Sequence, residues 1–316
     1  MAESWGSWLY ATIWYLPITA FVLWNWKALP FVWHIRLYSV KFKHFILRRS
    51  HKITYTQHGG TSIFEPIIST TWCPMLEMDM NLHKSNSTFF SDLDINRMHL
   101  MAALFKPVLS GRPGADEGNR FGSLNCILGA VSCHFRREIR PLEKYEIWTR
   151  VLCWDEKWLY VVSHFVSADE VAPMLCRSGG HVAPSAKVKS IEERNVDEES
   201  TRFQMEKSRS AKLIRASAIS KFVFKQGRRT IAPEDVMREL KLVPAAPSVA
   251  EQQSLEYSLS NGSRTRESAD WDIHRIWKEN ERGLKIARQF AGLDALHDTF
   301  SGDSSDALGY FSDTPW

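Results

Sequence analysis

The sequence predicts an α+β chain: one long helix, then a series of antiparallel strands, behind an apolar N-terminal segment and ahead of an amphipathic helix. Three observations predict it. Met98, Met101, Ala102 and Phe105 recur at i, i+3, i+4 and i+7, the period of a helix with one buried face. Residues 124–140, 145–153 and 158–167 are strand-like runs joined by the short turn segments Arg140–Lys144 and Trp154–Lys157. Lys212–Lys225 returns to alternating apolar character and predicts a further strand.

The first segment has its own character. Trp5–Trp26 runs without a charge, and as a helix it would extend roughly 33 Å, about the hydrocarbon thickness of a bilayer. Trp5, Trp8 and Tyr10 gather at one end and Trp24 and Trp26 at the other, as interfacial aromatics do. Pro17 should kink the span, and Lys27 closes it. No basic leader and no small-residue cleavage site accompany it, so a removable signal is disfavoured. Residues 1–64 carry seven Lys/Arg and one acid, against 33 basic and 35 acidic residues in the rest of the 316. A basic stretch after an apolar span predicts a single-pass N-terminal anchor. The following domain would then be cytosolic, with the endoplasmic reticulum the expected membrane. Residues 28–49 suit an interfacial amphipathic helix. With no basic stripe downstream, nucleic acid is excluded as a partner.

The domain expectation is an anchor over 1–52, a globular domain over 53–243 and a linker with a C-terminal helix over 244–316. Within the globular part, Thr61–Ser69 reads as a strand with Pro66 at an edge, and Leu76–Leu82 as another. Ser91–Asp94 leads into a helix over Asn96–Phe105, which Pro107 kinks or ends. Ser110–Gly122 is Gly-rich but lacks a phosphate-loop pattern. Residues 169–208 read as a polar insertion, Pro233 opens a short helix, and Trp271–His297 is amphipathic. The five cysteines, an odd number with no C-x-x-C, argue for reduced thiols and against a disulfide framework or a structural zinc site. No metal or other cofactor is implied.

Three stretches carry a family resemblance. Thr88–Leu104 (TFFSDLDINRMHLMAAL) resembles the strand-to-helix junction of 4-hydroxybenzoyl-CoA-thioesterase-like hotdog proteins, whose signature is D-x-D, a small turn, then H-V/M-N-N. In this register Met98-His99-Leu100-Met101 stands where H-V/M-N-N would, with the histidine displaced by one residue. Cys133–Phe165, with R-R-x-[IL]-R-x-L-E and T-R-x-L-x-W-D, resembles the thioesterase superfamily member 6-like branch. Phe222–Leu240 resembles that group's closing strand and helix. An apolar N-terminus with a long C-terminal extension is similar to fungal thioesterase-like proteins of polyketide and lipopeptide biosynthesis.

The resemblance implies a hotdog fold, an antiparallel curled sheet around a central helix. It also implies a homodimer acting on an acyl-CoA or an acyl-carrier-protein substrate. Thioester hydrolysis needs a nucleophile or base for water and donors for the oxyanion. A carboxylate just before a helix supplies the first, and the helix's free N–H groups supply the second. Asp94 is the expected nucleophile or general base, or else the helix N-cap; Asp92, alternating with it on a strand and sharing its face, is the runner-up; His99 is a second acid/base or a helix-surface histidine. Asn96 would donate to the carbonyl or cap the helix. The N–H groups of Asn96–Met98 would form the oxyanion site. Met98 and Met101 would wall the acyl chain. Arg136 and Arg137 are candidate phosphate contacts. Two rival readings remain: a non-catalytic membrane-anchored shell that binds acyl groups or scaffolds a partner, and a hotdog dehydratase or hydratase.

Overall fold

A computed structural model describes residues 13, 15–47, 62–109, 123–168, 213–243 and 267–299. The polar insertion, the Gly-rich loop, most of the linker and Cys176 lie outside them. In chain order the principal elements are α1 (15–24), α2 (Val32–Lys41), β1 (Ile67–Trp72), α3 (Asn86–Leu109), β2 (Asn125–Phe135), β3 (Lys144–Trp154), β4 (Leu159–Ser167), β5 (Ile214–Gln226), β6 (Arg229–Ile231), α4 (Pro233–Glu239) and α5 (Glu267–Ala291). The sheet is antiparallel with order β1-β3-β4-β5-β2, and β6 pairs with β5. Register shifts at Leu128/Ala130, Val151/Cys153 and Phe165/Val166 bend adjacent strands. The sheet thereby curls around α3, as a hotdog fold requires.

Two apolar layers join helix and sheet. Leu100, Met101, Leu104 and Phe105 pack on Val151, Val161, Phe222 and Phe224. Nearer the start of α3, Phe89 and Leu93 pack on Tyr145, Ile147, Phe165 and Ala218. The second layer corrects the expected helix start. α3 begins at Asn86, ten residues before Asn96. The buried stripe of its first turns includes Asp92, Asn96 and Arg97, and those polar residues hide the helical period from a reading of apolar spacing alone.

Two predicted strands change as well. Leu76–Leu82 is a 3-10 turn over Met75–Glu77 followed by a tight turn, closed by one Met78–Lys84 bridge. Ser62–Phe64 is a 3-10 turn, and β1 starts only after Pro66. The three central runs and the Lys212–Lys225 strand lie close to their expected places. Helix α5 docks on this chain's own sheet. Asn280 accepts from Trp154 N at 2.8 Å and donates to Trp154 O at 3.2 Å. Gly283 lets the helix approach so closely that a Cβ there would lie 2.5 Å from Leu152 O.

The N-terminal arm is bent. α1 stops at Asn25, a 3-10 turn covers Trp26–Ala28, and Phe31 has φ 66° before α2. Past α2 the chain continues as one π-turn over Phe42–Ile46. Both segments pack on α3, with Val40 buried. Of the expected interfacial helix over 28–49, the described residues 28–47 are two helical pieces with an inner face on the domain, rather than one helix. Among the described residues no helix is long and apolar enough to cross a membrane. Residues 1–12, which carry much of the expected span, lie outside the described residues. Lys27 does not close a span towards water; it is buried in the domain.

Candidate active site

The start of α3 is preceded by a loop held at nearly every residue. Cys73 N donates to Glu143 O and Leu142 N returns to Cys73 O. Asp79 N donates to His83 O at 2.9 Å, Leu82 N to Asp79 O at 3.1 Å, Lys84 N to Ile139 O at 2.9 Å and Ser85 N to Glu77 O at 2.8 Å. The turn puts Leu82 at φ 59°, a left-handed conformation that costs a branched side chain energy and that concentrates at functional sites. Asp79 Oδ1 accepts from Asn81 N at 2.8 Å. Its other oxygen, Oδ2, lies 3.4 Å from His83 Nδ1, and each side chain is 28% exposed. The loop therefore offers a half-exposed carboxylate and imidazole beside the first turn of a 24-residue helix. Thr88 N and Thr88 Oγ1 both donate to Ser85 O. The other N–H groups of that turn have no carbonyl one turn earlier within the helix to pair with.

The same loop sends its alternate side chains inward. Glu77 Oε2 accepts from Lys84 Nζ at 2.5 Å and from Lys27 Nζ at 3.1 Å. Asp92 Oδ2 accepts from Lys27 at 2.9 Å and from the Tyr145 hydroxyl at 2.5 Å, and lies 3.1 Å from Lys84 Nζ. Its Oδ1 takes Arg36 Nη2 at 3.1 Å. Three cations thus surround two buried carboxylates. Burial opposes ionisation of Asp92, but Lys27, Lys84, Arg36 and the Tyr145 hydrogen bond outweigh it and hold the carboxyl far below the usual carboxylate range. Burial, then the neighbouring carboxylates, push the Tyr145 hydroxyl well up. Asp92 is fully engaged by cations, and this arrangement suits a structural anion rather than a nucleophile.

The remaining expected residues are dispersed. Asp94 is not ahead of a helix; it sits inside α3 and accepts from Arg97 Nη2 at 2.5 Å. Asp92 and Asp94 are therefore not neighbours on one strand face but lie some 200° apart around a helix. The N–H groups of Asn96–Met98 fall in the helix interior, where the preceding turn's carbonyls take them, so they cannot serve as the oxyanion site. Asn96 does not cap; its Nδ2 donates to Ile147 O at 3.0 Å and to Thr149 Oγ1 at 2.6 Å. His99 is not a plain surface residue, because its Nδ1 lies 3.0 Å from His44 Nε2 on the arm. Burial, then His44 and Lys43, lower the His99 imidazole to about 4. Met101 is in the core beside Cys126, and Met98 is half-buried. Arg136 and Arg137 are exposed past the end of β2, with their backbone N–H groups on Arg215 O.

The residues that sequence reasoning passed over are Glu77, Asp79, His83 and Asn86. The signal for them was present. Glu77-Met78-Asp79, then a turn, then His83-Lys84-Ser85-Asn86 repeats the spacing of D-x-D, turn, H-V/M-N-N. Glutamate at the first position and Lys84-Ser85 in the second half obscure it, whereas Asp92-Leu93-Asp94 matches D-x-D literally.

The sequence model of the thioesterase-like superfamily matches residues 73–252. Thioesterase poxG of Penicillium oxalicum is 36% identical over 282 residues, covering 87% of this chain and 82% of that protein. Probable thioesterase atnL of Emericella nidulans is 35% identical over 306 residues, covering 93% and 90%. Protein THEM6 of Xenopus laevis is 29% identical over 127 residues, covering 38% of this chain and 56% of that one.

Proposed function

The chain belongs to the thioesterase-like superfamily, and we propose that it is an acyl-thioester hydrolase whose chemistry runs at the loop between Glu77 and Asn86. One observation carries the assignment. A half-exposed carboxylate, Asp79, stands 3.4 Å from an imidazole at the mouth of the central helix, in the family's own spacing. By the resemblance, the second acid of D-x-D serves as nucleophile or general base, and here that acid is Asp79. Asp79 takes a proton from water, and the water oxygen bonds to the thioester carbon. The carbonyl oxygen then carries charge towards the N–H groups of the first turn of α3. The C–S bond breaks, the proton on Asp79 passes to the thiolate, and acid and thiol leave. His83 orients Asp79 through their contact.

The acyl group arrives on coenzyme A or on a carrier protein, and the similarity to named fungal thioesterases supports a place in polyketide or lipopeptide biosynthesis. Pairing of two copies along β2 completes the unit. Among the described residues β2 is an unpaired sheet edge of 11 residues with Ile127, Leu128 and Phe135 exposed, and long apolar edges need a partner. Sedimentation of the purified chain as a monomer would remove this part.

Membrane attachment through the N-terminus is part of the same proposal, with the catalytic domain on the cytosolic side of the endoplasmic reticulum. Phe31, Ile35, Tyr38, Phe42 and Ile46 recur every three or four residues, all exposed, with Lys41 and Lys43 exposed beside them. Most of α1 is exposed and apolar as well. An apolar stripe edged by lysines suits an anionic bilayer surface. The full chain should float with phosphatidylserine vesicles and resist extraction by 1 M salt, where charge alone is screened to about 3 Å. Release by salt would reduce the attachment to electrostatics.

Thiol release from a panel of acyl-CoAs tests the chemistry. Asp79→Asn should lower turnover about 100-fold or more, and Asp94→Asn should leave it within about threefold. The reverse result would return the chemistry to Asp94. Release from acyl-carrier protein alone would fix the thiol carrier, and release from neither would leave an acyl-binding shell.

A further inference from the structure

We propose that the N-terminal arm is a working part of the active site, with Lys27 the positioning residue that holds the Asp79–His83 loop against the central helix. The inference rests on the hydrolase reading, and it goes beyond it, because the arm lies outside residues 73–252, which the family model matches.

A simple tether would touch the domain through apolar surface. This arm grips the start of the loop by directed bonds. Asn25 Oδ1 accepts from Leu76 N at 3.0 Å, and Asn25 Nδ2 donates to Phe21 O at 2.9 Å, so α1 fixes the 3-10 turn that begins the loop. Lys27 Nζ donates to Trp72 O at 3.0 Å, at the end of β1, and to Glu77 Oε2 at 3.1 Å within the loop. It also reaches Asp92 on α3 and the Tyr145 hydroxyl on β3 at 2.9 and 3.1 Å. Arg36 on α2 holds the other oxygen of Asp92. One ammonium therefore links the strand before the loop, the loop, the helix after it and the neighbouring strand.

Glu77 transmits this to the reacting side chains. Its carboxylate holds Lys84, next to His83, and its carbonyl holds Ser85 N just before α3. With Lys27 gone, Glu77 keeps only Lys84, and that ammonium is shared with Asp92, which also keeps Arg36 and the Tyr145 hydroxyl. The side chain of Glu77 is freed to turn, and the closing half of the loop turns with it. Asp79 and His83 lose the geometry that places the carboxylate at the helix N-terminus. Because reaction rate falls steeply with small misplacement, the effect should appear in turnover more than in substrate binding.

The test uses the full chain in lipid nanodiscs, with Lys27→Met, Lys27→Arg and the double variant Lys27→Met/Glu77→Gln. Hydrogen exchange without substrate should rise about tenfold or more at Asn81–Ser85 in Lys27→Met, while β3 and β4 keep parental protection. kcat should fall about tenfold or more with KM within about threefold, and Lys27→Arg should regain part of the loss. The double variant removes one buried charge of each sign, so it remains informative if Lys27→Met does not fold. It should melt near the parent and still turn over slowly. Parental exchange in the loop with parental kcat would overturn the proposal. So would exchange raised uniformly across the sheet, or a double variant with full kcat, since either makes Lys27 a general support. If the parent releases no thiol from any acyl donor, the hydrolase reading fails, and the exchange measurement still decides the role of Lys27.

Discussion

Glu77-Met78-Asp79 and Asp92-Leu93-Asp94 place two acids at the same spacing on two kinds of backbone. In each pair one acid points inward and one outward. The inward acids, Glu77 and Asp92, meet in one buried cluster and share Lys27 and Lys84. The outward acids differ in company. Asp79 has an imidazole 3.4 Å away, in a loop that runs into the first turn of α3, whose N–H groups have no acceptor within the helix. Asp94 has a guanidinium and a helix interior whose N–H groups are already bonded. A carboxylate's chemistry is therefore set less by the residue pattern around it than by whether the neighbouring amides are free.

The comparison is broken most forcefully at the inward acids. Removing Asp92 leaves Lys27, Lys84 and Arg36 facing Glu77 alone inside the protein. Asp92→Ala should cost about 3–5 kcal/mol, the usual penalty for uncompensated buried charge. Urea unfolding of the full chain checks it, and a loss under about 1 kcal/mol would mean that water enters the cluster. The same logic warns against trimming. A chain cut after Lys52 also loses Lys27 and Arg36, and Asp92 would keep only Lys84 and Tyr145.

A second contrast is within α3, between its charged contact with the arm and its neutral one. His44 and His99 share a hydrogen bond, so one donates and the other accepts, and the accepting ring must be neutral. Burial, then Lys106 and Lys43, lower His44; His99 is lowered to about 4. With folded values below the free imidazole's ~6.5, the stabilisation from this contact is full above that value. It is lost as pH falls towards 4, because the released arm binds protons more readily than the docked one. Asp92 works over a lower range, since its contribution is present above the ordinary carboxylate value and fades only as pH falls below that. Between pH 7.5 and 5, then, exchange should rise at Phe42–Ile46 and stay low around Asp92. Rising exchange at both places together would show that the arm moves as one body.

Much of this architecture was legible because strands announce themselves locally. β3, β4 and β5 alternate or run apolar between clear turns, and these strands needed no long-range information. The start of α3 was hidden for the opposite reason. Asp92, Asn96 and Arg97 lie on its buried face and are tolerable there only through partners far away in sequence: Lys27 and Tyr145, Thr149, and Ser220. A helix stabilised by such bonds does not show a clean apolar stripe. The misplaced helix start drew the expected site with it, because a literal D-x-D at the assumed helix start masked the looser E-x-D that precedes the true one. Lys27 was misplaced on similar grounds. A lysine after an apolar run reads as a boundary to water, and nothing local reports that two buried acids wait for it.

The mildest way to probe the two acid pairs is at Asp94, and it is the sharpest for telling a cap from a salt bridge. An acid at a helix N-cap is worth about 1 kcal/mol or more to the fold. Asp94 instead sits in the third turn of α3, 38% exposed, pairing with Arg97 three residues on. Ion pairs of that kind contribute little, about 0.3–0.5 kcal/mol on helices. Arg97 keeps Ser220 Oγ at 2.8 Å and its place over the Phe222 ring, so it is not left stranded. Burial already lowers Arg97, and Asp94 opposes that shift only in part. Asp94→Ala should therefore cost less than about 1 kcal/mol in urea unfolding, and the loss should shrink further at high salt. A larger loss, insensitive to salt, would mean that Arg97 depends on Asp94 to stay ionised inside the domain, and the outward acid of the helix would then belong with the inward ones.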